Sequence, residues 1–275
     1  MQQRTPRLEG KVAIVTGGGE RESGPRIGTG KAMSILFARE GAKILVVDRV
    51  LQNAEATVAA IREEGGEASV FEADVTRAED CQGVAEAAVE RYGGLHVLIN
   101  NAGIFIPEGP GVPQASVVDV TEEIWDRVMD VNLKGMMLVS KYAIPKMIES
   151  GGGAIVNISS TGGMRGNLNS RISYNTSKSG VIGLTTMMAS QHGRDRVRVN
   201  CIAPGGINTP MLANDEGSAS VRSSPLGTVG TGWDIAWAAL FLASDEARWI
   251  TGALLPVDAG GSTAAGGTAS EYMQL

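Results

Sequence analysis

Six short runs of aliphatic residues punctuate the chain, at 12–15, 44–47, 97–99, 154–158, 197–202 and 253–257, with a weaker one at 67–72. Most are apolar throughout and do not alternate with polar residues, the pattern of strands covered on both faces. Stretches with helical spacing lie between most of them, at 30–40, 50–64, 78–92, 122–150, 173–191 and 233–244. Gly41, the Gly65 and Gly66 pair, the Gly93 and Gly94 pair and the glycines from Gly151 to Gly153 stand at helix ends, where a left-handed residue closes the last turn. Gly135 and Pro145 are expected to interrupt the long 122–150 stretch. This alternation predicts an α/β fold, a parallel sheet with helices on both faces; the weaker run brings the strand count to seven. Three stretches fit neither period: 20–27, 106–118 and 213–230. No repeat and no linker divides two cores, so 1–275 is expected to be a single domain, with 1–7 and 262–275 as terminal extensions.

Composition narrows the function classes. The chain has 275 residues, 43% of them hydrophobic, enough for a sizeable core. No apolar run approaches the roughly 20 residues that cross a bilayer, and residues 1–10 lack the apolar centre of a secretory signal. Net charge is -6 and no dense Lys/Arg block is present, which disfavours nucleic-acid binding. Two cysteines, Cys81 and Cys201, suit a reducing cytoplasm and read as packing residues. Two histidines, His96 and His192, are too few for a histidine-based metal cluster, and no metal is expected. Trp233 and Trp237, four apart, are expected to face the core.

The chemistry begins after the first strand. Residues 12–15 run into Thr16, Gly17, Gly18 and Gly19, and Gly28, Thr29 and Gly30 then open a helix. Glycines between a first strand and a first helix allow close backbone approach by a pyrophosphate, which the helix N-terminus attracts. Asp48 ends the second strand, about 20 residues beyond these glycines, where a ribose 2′-hydroxyl would lie. A carboxylate there accepts from a 2′-hydroxyl and repels a 2′-phosphate, which favours NAD over NADP. Arg49 pulls the other way, because its guanidinium can stack on adenine or attract that phosphate.

Further motifs follow in order: Asn100, Asn101, Ala102 and Gly103 after the fourth strand; Asn132 in a helix; Ser159 and Ser160 closing the fifth strand; Tyr174 and Lys178 four apart; Pro204 and Gly205 after the sixth strand; then Thr209. Together with the glycine loop they resemble the short-chain dehydrogenase/reductase family in its single-domain form, over roughly residues 8–260. The resemblance implies a Rossmann-type, doubly wound seven-stranded sheet and a homotetramer or homodimer. It places Gly17, Gly28, Thr29 and Gly30 at the cofactor phosphates and Asp74 and Val75 beside the adenine. Asn101, Ala102 and Gly103 fall near the adenine ribose. Pro204, Gly205, Ile207 and Thr209 fall at the nicotinamide. The helices holding Met136, Met137, Met187 and Met188 form subunit contacts in this family.

The implied reaction is hydride exchange between a nicotinamide cofactor and a secondary alcohol or ketone. A phenol with an ordinary pKa near 10 is a poor base at neutral pH. Lys178, one helical turn from Tyr174, is expected to lower it and to donate to the nicotinamide ribose. Ser160 would polarise the substrate oxygen, Tyr174 would carry its proton, and Asn132 resembles the helix-bending residue that links Lys178 to solvent through a water. Two departures from the family stand out. Ten residues separate Gly17 from Gly28, more than the family loop holds, so 20–27 is an insertion, either a flap over the phosphates carrying Arg21 and Arg26 or a solvated loop. Ser160 lies one position farther from Tyr174 than is usual, so Thr161 is an alternative hydroxyl.

The substrate is not legible. Residues 104–118, 161–171 and 211–230 should wall its pocket, and Arg165 and Arg171 either meet an acidic substrate or face solvent. An NADPH-dependent 3-oxoacyl thioester reductase is the enzymatic rival. A non-catalytic NAD-binding sensor has no use for the Asn132, Ser160, Tyr174 and Lys178 set, and an epimerase would need a separate substrate domain.

Overall fold

The computed structural model describes residues 5–20, 26–106, 117–166, 171–211 and 224–263. Seven strands form one parallel sheet: β1 (Val12–Thr16), β2 (Lys43–Asp48), β3 (Ala68–Glu72), β4 (Val97–Asn100), β5 (Gly153–Ile158), β6 (Val197–Pro204) and β9 (Leu254–Val257). Their order is β3-β2-β1-β4-β5-β6-β9, a Rossmann-like doubly wound sheet that reverses direction of travel between β1 and β4. The weak run at 67–72 is a full member of it. A second sheet pairs only β7 (Ile207–Asn208) with β8 (Gly230–Thr231).

The described helices are α1 (Thr29–Arg39), α2 (Leu51–Glu63), α3 (Ala78–Tyr92), α4 (Glu122–Met129), α5 (Gly135–Glu149), α6 (Ile172–His192) and α7 (Gly232–Ala243). Successive strand residues point to opposite faces. In β1, Ala13 and Val15 enter one core with α1, α2 and α7, while Val12 and Ile14 enter the other with α3, α5 and α6. In β2, Ile44 and Val46 join the first core and Leu45 and Val47 the second. Burial on both faces explains the continuous apolar runs.

Two expectations need correction. The interruption of the 122–150 stretch is not at Gly135 and Pro145; it is a π-helical turn, Asp130–Lys134, and Pro145 sits inside α5 without ending it. Trp237 is 51% exposed and does not face the core. Trp233 is partly buried, with the Arg39 guanidinium 5.1 Å from its ring centre. Both cysteines are buried as expected, and burial pushes the Cys81 thiol up to about 12 and that of Cys201 to about 11. His96 accepts from the Val12 amide and His192 pairs with Asp195, so both histidines are structural. No described helix is long and apolar enough to cross a membrane.

Candidate active site

The first half of the site is built on backbone contact. Gly17 turns the chain out of β1 at φ 59, a left-handed conformation that glycine adopts without a steric penalty. A Cβ at Gly17 would lie 2.8 Å from the Ala102 Cα, and one at Gly30 would lie 2.0 Å from the Gly17 carbonyl oxygen. The loop, the start of α1 and the turn after β4 thus touch main chain to main chain. Asn101 fastens all three. Its amide donates to the carbonyls of Thr16 (3.2 Å) and Gly17 (2.9 Å), and its Oδ1 accepts from the Thr29 hydroxyl at 2.8 Å. The Thr16 hydroxyl oxygen accepts from the amides of Asn101 and Ala102. The side chains of Asn101 and Thr29 are therefore occupied with holding the loop.

α1 begins without a capping side chain and without an acidic residue in its first turn. A Cβ at Gly28 would meet nothing within 4 Å, so space is open there. This cradle fits a diphosphate: a helix start whose Gly28 amide already donates to a carboxylate oxygen, beside open room at that glycine. Asp48, at the end of β2, accepts from Gly19 N (3.1 Å) and Val50 N (3.0 Å). Asp74 follows β3. Burial pushes its carboxyl up, but hydrogen bonds from Thr76 and the positive charges of Arg127 and Arg49 bring it below the ordinary value. Val75 is buried beside it and packs on Gly135. Residues 21–25, including Arg21, and hence the flap reading of the insertion, lie outside the described residues.

The second half lies at the ends of β4 and β5. Asn132 occupies the π turn and is fully buried. Its Oδ1 accepts from Ile104 N at 2.7 Å, and its amide donates to Ile104 O (3.0 Å) and the Ser177 hydroxyl (3.1 Å). The widened turn aims one side chain at both the β4 loop and α6. Tyr174 and Lys178 share one face of α6, with the Lys178 Nζ 5.7 Å from the Tyr174 ring centre. Lys178 donates to Ile158 O at 2.9 Å. A Cβ at Gly103 would lie 3.5 Å from the Lys178 Nζ and 3.4 Å from the Asn132 Oδ1, so the turn after β4 runs in van der Waals reach of both side chains. Ser160, in extended conformation just after β5, accepts from the Gly162 amide at 3.1 Å and lowers the Tyr174 phenol by hydrogen bonding, and Thr161 opens a short 3-10 turn.

The electrostatics differ from the sequence expectation. Burial raises the Tyr174 pKa above the ordinary phenol value, with the Ser160 hydrogen bond pulling it part of the way back; Lys178 contributes no resolved lowering. Burial also depresses Lys178, to about 8. From the protein's own groups alone, desolvation outweighs the attraction of ammonium for phenolate.

Pro204 ends β6, and the Gly205 amide donates to Val257 O. A Cβ at Gly205 would lie 2.6 Å from that of Asp258. Ile207 pairs with Gly230, and Thr209 is buried. A cavity of about 370 Å³ lies here, lined by Thr161, Arg165, Gly205, Leu226 and Asp258 among others. It neighbours Ser160 and Tyr174 without including them.

The sequence from residue 25 to 262 matches the family model described as enoyl-(acyl carrier protein) reductase. A 2,5-dichloro-2,5-cyclohexadiene-1,4-diol dehydrogenase of Sphingobium indicum is 42% identical over 93% of this chain and 98% of its own. A 3-oxoacyl-[acyl-carrier-protein] reductase of Thermotoga maritima is 38% identical over 92% and 98%, and a cyclohexanol dehydrogenase of Acinetobacter 35% over 92% and 95%. The crystal structure of a short-chain dehydrogenase/reductase from Burkholderia xenovorans superposes with a TM-score of 0.87 at 38% identity, covering 94% of this chain and 99% of that one. The chain belongs to the short-chain dehydrogenase/reductase family. It is an oxidoreductase of the hydride-transferring kind, and its family works with a nicotinamide cofactor.

Within that family frame, sequence reasoning missed three contacts. Phe105 meets the Tyr174 ring edge-on at 5.2 Å, and the Arg171 guanidinium lies 4.1 Å from the Phe105 ring centre while donating to Ile106 O. Arg165 donates to the carbonyls of Gly261 and Ser262. Both arginines, considered as partners for an acidic substrate, are engaged with the chain's own carbonyls. The third contact is that of Glu20 with α1. Residues 107–116, 167–170 and 212–223 of the expected pocket wall lie outside the described residues; Met211 is exposed.

Proposed function

We propose that this protein is an NAD(H)-dependent dehydrogenase acting on a small secondary alcohol, or on its ketone in reverse, with Tyr174 as acid and base. One observation carries the reading: the Lys178 Nζ lies 5.7 Å from the Tyr174 ring centre on α6, and Ser160 at the end of β5 bears on the same phenol. The nicotinamide supplies or accepts the hydride. Toward alcohol, the Ser160 hydroxyl donates to the substrate oxygen and holds the charge that builds there. Tyr174 then gives that oxygen its proton; toward ketone, it takes the proton back. Lys178, next to Gly103, would donate to the cofactor ribose, and Asn132 holds α6 and the β4 loop at the spacing this needs. Gly17, Gly28, Thr29 and Gly30 form the phosphate cradle, Asp74 and Val75 border the adenine, and Pro204, Gly205, Ile207 and Thr209 flank the nicotinamide.

Asp48 supports NAD. Its carboxylate is held in place by two backbone amides at the ribose end, where a 2′-phosphate would meet like charge. The likeness to the diol and cyclohexanol dehydrogenases supports a compact, cyclic alcohol. The likeness to the 3-oxoacyl reductase, with exposed Arg49 beside Asp48, favours the rival NADPH-dependent thioester reading. Exposed Met137 on α5, Met187 on α6 and Trp237 on α7 support self-association as a homotetramer or homodimer, and two buried thiols suit the cytoplasm. Reduced-nicotinamide absorbance with cyclohexanol and NAD, set against a 3-oxoacyl thioester and NADPH, tests this. Turnover of the alcohol with NAD is expected. Preference for the thioester with NADPH would establish the rival, and dinucleotide binding without turnover of any alcohol or ketone would establish a sensor.

A further inference from the structure

The loop insertion supplies its own anion to the start of α1. Glu20 Oε1 accepts from Gly28 N at 3.0 Å, and Glu20 Oε2 pairs with the Lys31 Nζ at 2.5 Å. Both side chains are mostly buried, 15% exposed for Glu20 and 21% for Lys31. The Glu20 amide donates to Asn53 O, so the segment is fastened to α2 as well. The preceding residue, Gly19, donates to Asp48. One short segment therefore touches both the ribose end and the phosphate end of the dinucleotide cradle. The carboxylate uses a helix-start amide and the nearest cation, the two kinds of group a diphosphate needs there.

We propose that Glu20 is a latch that competes with the cofactor diphosphate for Gly28 and Lys31. This rests on the dinucleotide reading above. A diphosphate entering at Gly28 meets a carboxylate of like charge, and Lys31 is already spoken for. Binding exchanges one anion for another: the Glu20–Lys31 pair breaks, Glu20 moves off toward solvent, and Lys31 turns to phosphate. The closed latch reduces apparent affinity by the fraction of molecules in which it is open, and it speeds cofactor release because the displaced carboxylate returns.

Isothermal titration of the full chain with ADP, adenosine and NADH tests the latch, comparing wild type with Glu20→Gln and Glu20→Ala. ADP and NADH are expected to bind both variants about tenfold tighter than wild type, with adenosine, which lacks phosphate, unchanged. Added salt should narrow the gap, because the competition is between charges. Equal ADP affinity in wild type and both variants would overturn the latch while leaving the dinucleotide site standing. So would a gain for adenosine matching that for ADP. Failure of wild type and variants alike to bind NADH or ADP would overturn the dinucleotide reading itself, and the latch with it.

Discussion

The two halves of the site solve opposite problems. The nucleotide half, at the ends of β1, β2 and β4, satisfies its polar groups at short range: Asn101, Thr29, Glu20 and Asp48 all hold backbone or side-chain partners. The catalytic half buries Lys178, half-buries Tyr174 and moves both away from their ordinary pKa values. The first half is a fitted scaffold whose tolerance for change is steric. The second stores unfavourable desolvation, and its tolerance is electrostatic. Substitutions should therefore fail differently in the two halves.

Short of losing the Tyr174 hydroxyl itself, the largest effect is expected from Ser160→Ala, which removes the hydroxyl that stabilises developing charge and should lower kcat about 10²- to 10³-fold. Thr161→Val should stay within about threefold, since Thr161 faces the neighbouring cavity. Steady-state kinetics on both variants breaks the comparison if Thr161 proves the more costly. Next is Gly30→Ala. Its Cβ would meet the Gly17 carbonyl, and relief by backbone movement should cost about 3 kcal/mol, seen as a fall in Tm on the order of 5–10 °C. An unchanged Tm would show that the loop is not packed backbone to backbone. Asp48→Asn should weaken NAD about tenfold and narrow the gap to NADP, because one charged acceptor is lost; titration with both cofactors measures it.

The smallest effect sharpens the electrostatic side. Lys178 is depressed when folded, to about 8, against an ordinary lysine value near 10.4. Between those values the unfolded chain binds more protons, so stability rises with pH across that window. Relative to Lys178→Met, the wild type should gain about 1 kcal/mol from pH 8 to pH 9, read from urea unfolding. A flat difference would mean that Lys178 is not desolvated.

Much of this was legible in the chain. The alternation of strands with helices and the placing of Tyr174 and Lys178 on one helical face follow from apolar runs and an i, i+4 spacing, signals that local physics writes directly. The weak 67–72 run became β3 because it pairs with β2 along its full length, a tertiary gain no local pattern reveals. The π turn at Asn132 left no compositional mark; it is one extra residue in a helix, stabilised by distant Ile104 and Ser177. The Tyr174 pKa was misjudged because a charge at i+4 is visible in sequence and burial is not. Trp237 was misplaced because spacing identifies a helix face without saying which side meets the core. Glu20 and Lys31 are eleven residues apart with no shared period, so their pairing leaves no local signal.

The central claim is that the Tyr174 hydroxyl moves the proton. Single-turnover oxidation of bound NADH by ketone, in wild type and Tyr174→Phe, tests it most directly. The account predicts a rate at least about 10³-fold lower in the variant, with NADH affinity within about twofold. A rate near wild type, with the cofactor bound as tightly, would contradict it.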